Sequence, residues 1–256
     1  MSLKRPQVGS LTLILGTSLF LLVALNGAYV SRLLAATPGE GIGALDATMI
    51  GLVLAINVML LSLLALPKVA KPALVTVILV AAVSGYFMQV LGAVVDRHAI
   101  ASVFESDARE AAEWLSPGLV AWIALLGVLP ALLIAFVRIE FQPAGREIRN
   151  RLLANGLLFG VVLVSAWPQT QALSSLLRNH GELRHYANPF AALHAVRGYV
   201  KHEWAVPSGP PLPVGTDARV AAVEVAGSTG RKPRLLMLVV GESARAASFQ
   251  LAGYPR

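Results

Sequence analysis

The chain has 256 residues, of which 56% are hydrophobic and 14% charged, with a formal net charge of +7 and no cysteine. An ordinary soluble domain carries about 25% charged residues, so this is the composition of a membrane protein. The missing cysteines exclude disulfides, thiol catalysis and Cys-ligated metal within these residues. The positive charge calls for no nucleic-acid partner, since much of the excess occupies positions that orient spans and the rest suits anionic lipid.

Five runs are free of Asp, Glu, Lys and Arg: 6–31, 47–67, 72–95, 114–137 and 152–177. A helix needs about 20 apolar residues to cross the hydrocarbon core, and each run is long enough. Lys4 and Arg5 precede the first run as they would in a signal peptide. The run exceeds the roughly 7 to 15 apolar residues of a signal core, however, and reads as a retained helix. Lys4, Arg5, Lys68, Lys71, Arg138, Arg146, Arg149 and Arg151 flank one side of the predicted spans, against Arg32, Arg97 and Arg109 on the other. The positive-inside rule then places the N-terminus in the cytoplasm and everything after Leu177 outside.

Within the spans, Asn26 and Asn57 are expected to hydrogen-bond between helices, as intramembrane amides usually do. "LPKVAKP" predicts a tight hairpin between spans 2 and 3, with Pro67 ending one helix and Pro72 starting the next. "RIEFQPAGREIRNR" predicts a longer basic loop between spans 4 and 5.

Beyond span 5, Asn188-Pro189 predicts a helix start, a cap residue followed by proline at the first helical position. Phe190, Leu193, Val196, Val200 and Trp204 then recur at helical spacing with Arg197 and Lys201 on other faces. Such a helix either lies in the membrane interface or packs on a soluble domain, and in both cases it serves as a connector. Residues 205–230 carry four prolines within 207–213 and close with a Gly/Ser/Thr cluster, which predicts a linker. "RLLMLVV" then fits a buried strand leading through a turn into a helix, the opening of an α/β domain. The domains expected are 1–177, five transmembrane helices; 178–230, connector helix and linker; and 231–256, the start of an α/β unit.

In "LVVGESARAASFQLAGY" Ser243 fails as a nucleophile elbow, because that turn needs a second glycine where Arg245 stands. Glu242 is at the carboxyl end of the predicted strand, where ligands bind in such sheets. A carboxylate there can join a metal cage, although a lone Glu is more often a solvated residue.

This motif closely resembles the segment that opens the periplasmic catalytic domain of the phosphoethanolamine transferases, members of the alkaline phosphatase and sulfatase superfamily. The family form V-V-G-E-T/S-x-R-A-x-x-F-x-L-x-G-Y is matched by Gly241, Glu242, Ser243, Arg245, Ala246, Phe249, Leu251, Gly253 and Tyr254. Residues 85–139 are similar to the family's third and fourth spans, and "RNHGELRHYANP" to its post-membrane R-x-H-K-x-L-R-x-Y-x-N-P.

The resemblance implies an α-helical membrane protein with five transmembrane helices, a periplasmic bridging helix and linker, and the start of a truncated sulfatase-like domain. It implies residence in a bacterial inner membrane and transfer of phosphoethanolamine from phosphatidylethanolamine to lipid A or another envelope glycolipid. Zn2+ is the implied cofactor and Glu242 its implied ligand. The family's Asn, Thr and Glu that hold the ethanolamine headgroup fall on Ser102, Ser106 and Glu110, the first two departing from the usual residue types. Their spacing of four and four aligns them along one helical stripe. The family's nucleophilic Thr and its remaining metal ligands have no counterpart here, so the chain taken alone is expected to be inactive. The alternative is a non-catalytic membrane remnant that binds lipid or a partner. A small transporter would want more polar residues at mid-span than Asn26, Asn57 and Gln89.

Overall fold

The computed structural model describes residues 5–37, 39, 41–105, 115–205, 216–217 and 237. The chain divides into two units, Met1–Pro207 and Ser208–Arg256. Of the second, Thr216, Asp217 and Met237 are among the described residues, so the predicted strand and the turn at Glu242 lie outside them.

The first unit is almost wholly helical. Strand β1 (Gln7–Gly9) leads into α1 (Ser10–Leu25) and α2 (Gly27–Ala36), followed by α3 (Ala44–Leu64), α4 (Ala70–Gln89) and α5 (Arg97–Glu105). Then come α6 (Pro117–Phe136), strand β2 (Arg138–Glu140), α7 (Ala144–Ala166), α8 (Thr170–Asn179) and α9 (Phe190–Ala205). Four helices among the described residues, counting α7 and α8 as one continuous rod, are long and apolar enough to cross a membrane. The pair α1 and α2 makes a fifth if a 62° bend is allowed within one span.

One apolar cluster fills the bundle near β1 and β2, with Ile14, Leu21, Val58, Leu61, Leu74 and Ile78 at its heart. A second, around Leu33, Met49, Met88, Leu176, Leu183 and Tyr186, fills the opposite end. The outward faces remain apolar: Leu152, Leu153, Leu157, Val161, Leu163 and Val164 of α7 are 60–76% exposed. In water such a face would drive aggregation, whereas hydrocarbon solvates it as well as a protein core would.

The basic loops gather at one pole. Strand β1 pairs in parallel with β2, Gln7 opposite Arg138 and Gly9 opposite Glu140, tying the entry of α1 to the exit of α6. The Ser10 hydroxyl donates to Glu147, which also holds Arg151 at 2.8 Å. Arg151 in turn donates to Ser62 O at 2.7 Å and Ala65 O at 2.8 Å, satisfying carbonyls that the end of α3 leaves without helical partners. Lys71 Nζ does the same for Ala135 O near the end of α6, at 2.9 Å. The expected long basic loop is accordingly short: its first residues form β2, and α7 begins at Ala144, just after Pro143.

The other differences from the sequence expectations are breaks. The first span bends at Asn26, and the third ends at Gln89, short of 95. Helix α6 widens into a π-turn over Ile123–Val128 ahead of Pro130, whose ring nitrogen cannot continue the hydrogen-bond ladder. Trp167–Gln169, around Pro168, form a tight turn between α7 and α8.

Asn188 corrects its expected role. It does not cap α9, whose first amides bond to Ala187 O and Pro189 O. Its side chain reaches instead into the bundle, to Leu25 O at 3.2 Å, Ala81 O at 2.7 Å and Ser84 Oγ at 3.2 Å. Asn26 and Asn57 do hydrogen-bond across elements as expected, but their shared partner is Asn188 O, at 2.8 and 3.5 Å.

Candidate functional site

The pole opposite β1 and β2 carries α5, and with it Ser102, the one described residue of those to which sequence assigned chemistry. Asp96 opens α5 as its cap, one carboxylate oxygen accepting from the amides of His98 and Ala99 at 2.9 Å each. One turn on, Ser102 is exposed and donates to His98 O at 3.0 Å, so its hydroxyl oxygen keeps accepting capacity toward solvent. Ser106 and Glu110, the other two members of the predicted headgroup stripe, lie outside the described residues, as does Glu242.

Helix α9 lies against α5. Phe104 stacks on Tyr199 at 5.3 Å with the rings 13° apart, and a Cβ placed on Gly198 would stand 3.5 Å from Arg97 Cβ. That close approach is what a glycine at 198 permits. Ala191, Ala192 and Ala195 face inward, while Phe190, Leu193, Val196, Val200 and Trp204 are 36–86% exposed. The apolar stripe of α9 is therefore left uncovered by the first unit, and small residues form its packing face.

Charges of both signs meet at this pole. Arg32 sits 4.8 Å over the Tyr186 ring, a cation–π contact that ties α2 to the segment before α9. His180 approaches Glu182 at 3.2 Å. A backbone hydrogen bond and the His180 contact hold the Glu182 carboxyl below its usual range. His185, 6.4 Å from His194 between ring centroids, is pushed down chiefly by partial burial, then by Arg184 and His194, with Asp96 opposing. Burial disfavours the charged imidazole, and the neighbouring Arg184 guanidinium adds to that.

A cavity of about 220 Å³ opens between the end of α2, the start of α3 and α8, lined by Thr37, Leu45, Ala172, Ser175, Leu176 and His180 among others. Ser102 is not among the residues that line it. Among the described residues no three His, Cys, Asp or Glu side chains come together to hold a metal ion. The described residues thus offer zinc no site.

Sequence reading missed two features here. Asp96 as the α5 cap was signalled by an acidic residue just before the helix. The burial of the segment 183–195 had a weaker signal, the alanines at 191, 192 and 195 opposite the larger apolar stripe.

Apolar helices around two apolar clusters, polar caps at both ends and a connector packed back onto the bundle define an α-helical integral membrane protein. The family described as phosphoethanolamine transferase EptA/EptB matches residues 53–204, more than half of the chain, and the chain belongs to that family. It is 28% identical to phosphatidylethanolamine transferase Mcr-1 of Escherichia coli over 98% of its length. It is 29% identical to phosphoethanolamine transferase EptA of Salmonella typhimurium over 99%. Its fold matches the integral membrane lipooligosaccharide phosphoethanolamine transferase EptA of Neisseria meningitidis with a TM-score of 0.81 and 27% identity, covering 98% of this chain. In each of these cases the chain spans 46% of the relative.

Proposed function

We propose that residues 1–256 form the membrane portion, and the opening of the catalytic portion, of an enzyme that moves phosphoethanolamine from phosphatidylethanolamine to lipid A or another envelope glycolipid. The observation that carries this reading is the match of fold and sequence together along nearly the whole chain to an EptA of known structure. In this reading the five spans sit in a bacterial inner membrane with the pole of α5 and α9 on the periplasmic side. Ser102, Ser106 and Glu110 hold the donor headgroup: the carboxylate pairs with the ammonium, and the hydroxyls accept from it. Glu242 is a ligand of the zinc ion, which when bound polarises the phosphoryl oxygens.

These residues include one assigned metal ligand and none that the resemblance assigns as nucleophile, so transfer requires the relatives' second half. The test joins residues 1–256 to that half of an EptA relative and follows lipid A by mass spectrometry in cells lacking their own transferases. The fusion is expected to add phosphoethanolamine to lipid A. Glu110→Gln is expected to reduce transfer about tenfold to a hundredfold, the worth of one hydrogen bond to a charged group, with the protein present in membranes at the same level. Transfer unchanged by Glu110→Gln removes the headgroup assignment. A fusion that inserts correctly and never modifies lipid A or another glycolipid refutes the function.

A further inference from the structure

The break in the first span and the insertion of the connector are one device. At Asn26 the helix stops, and α2 resumes at a 62° angle, which opens a wedge between α2, α3 and α4. The segment from Leu183 to Ala195 fills it, and Leu183, Tyr186, Asn188, Ala191, Ala192 and Ala195 are all buried there. A Cβ on Gly85 would stand 3.3 Å from Asn188 Nδ2 and 3.5 Å from Leu25 O, so glycine at 85 lets the amide approach this closely.

Asn188 is 0% exposed, and every polar group it has is used. Its backbone N–H donates to Asn26 Oδ1 at 2.8 Å. Its carbonyl accepts from Asn26 Nδ2 at 2.8 Å and Asn57 Nδ2 at 3.5 Å. Its side-chain oxygen accepts from Ser84, and its side-chain nitrogen donates to Leu25 O and Ala81 O. One residue thereby ties the connector to α1, α3 and α4 at once. Only a primary amide of this length fits: aspartate would set a negative charge against two carbonyls, and glutamine would overfill the site. A connector needed only as a tether would not require three helices to grip a single residue.

Resting on the function proposed above, we infer that Asn188 is a positioning residue for phosphoethanolamine transfer, a latch that fixes α9 in the wedge and so sets where the chain leaves the bundle on its way to Glu242. It touches neither donor nor acceptor and acts through the placement of α9.

The test exploits the absence of cysteine from residues 1–256, and every effect of a reductant is read against the same fusion without the added cysteines. Arg97→Cys with Gly198→Cys should form a disulfide, because the two β-carbons would lie within bonding range. In the fusion described above, Asn188→Ala is expected to lower transfer about tenfold or more, as small misplacements of reacting groups do. Protein levels in the membrane should stay unchanged. Adding the disulfide pair should restore most of the transfer shown by the pair alone, and a reductant should abolish that recovery. A purely structural loss would not be repaired in this way. Wild-type transfer by Asn188→Ala, or a loss that the bridge leaves untouched, overturns the latch. Should Asn188→Ala fail to accumulate, Ser84→Ala and Asn57→Ala each remove one of its bonds. Transfer that falls at constant protein level then supports the latch, and transfer that falls only in step with protein level overturns it. If the unsubstituted fusion transfers nothing, the functional reading fails separately. The disulfide yield then decides: lower in Asn188→Ala than in its parent supports the latch, and equal yields refute it.

Discussion

Arg151 stands one position before the fifth charge-free run, and in the sequence it counts as one more cytoplasmic charge. The structure gives it a second task. Its guanidinium spans Glu147, Ser62 O and Ala65 O, closing the end of α3 with donors carried on α7. Sequence counts charges but does not say which carbonyls they meet, so this contact was not legible, whereas the charge asymmetry was. Asn26 and Asn57 show the same limit: polarity in an apolar run announces a hydrogen bond, yet the partner stands more than 130 positions away in the chain. Because Arg151 is 9% exposed, removing it takes the cation from the Glu147 carboxylate, which keeps Ser10 and the Gln142 amide, and leaves two helix-terminal carbonyls without donors. Arg151→Ala should cost about 3 kcal/mol. Arg151→Lys should recover only part of that, since a single ammonium cannot reproduce the planar fork. Thermal unfolding in detergent, compared across the three proteins, measures it; an Ala variant as stable as the parent would show that the network contributes nothing.

Elements were legible wherever one-dimensional signals suffice. Hydropathy located the apolar helices, because solvation by lipid is a property of each residue taken singly. Breaks were not located, since they answer to neighbours: the bend at Asn26 exists to admit the connector, and the π-turn in α6 brings Gly127 within reach of Ala82, where a Cβ would approach to 3.1 Å. Helix α9 lies between these cases. Its stripe was visible in the spacing, and the choice between membrane interface and soluble domain was open. With the alanine face turned into the bundle, the large side chains point away from it, Trp204 being 86% exposed. An amphipathic helix beside a bilayer, with Arg197 and Lys201 on its polar side, is most stable with that stripe in the interface. A chain in which Trp204 is the sole tryptophan should therefore be quenched strongly by lipids brominated near the headgroup. Emission typical of water that ignores brominated lipid would place α9 against another protein surface instead.

At the scale of the molecule, the structure gathers at one pole the basic segments that the sequence distributes over three places, and it puts α5, α8 and α9 at the other. Charge bias and fold thus agree on two poles. The candidate site follows the same division. Ser102 is placed on an exposed face of α5, while Ser106, Glu110 and Glu242 rest on the resemblance, because they lie outside the described residues. Under the proposed function, orientation decides whether that site can work, since a lipid A acceptor and a catalytic half would have to share a side with Ser102. The positive-inside rule assigns the loop of Lys68 and Lys71 to the cytoplasm and α9 to the periplasm. Without native cysteine, a single one placed at Val69, which is 48% exposed in that loop, or at His202 on the exposed side of α9, reports its compartment unambiguously. A membrane-impermeant maleimide added to intact spheroplasts should label His202→Cys and spare Val69→Cys, and both should react once the membrane is opened. The opposite pattern would put the headgroup stripe on the cytoplasmic side, where no lipid A acceptor in the outer leaflet could be reached, and the transferase reading would fail with it.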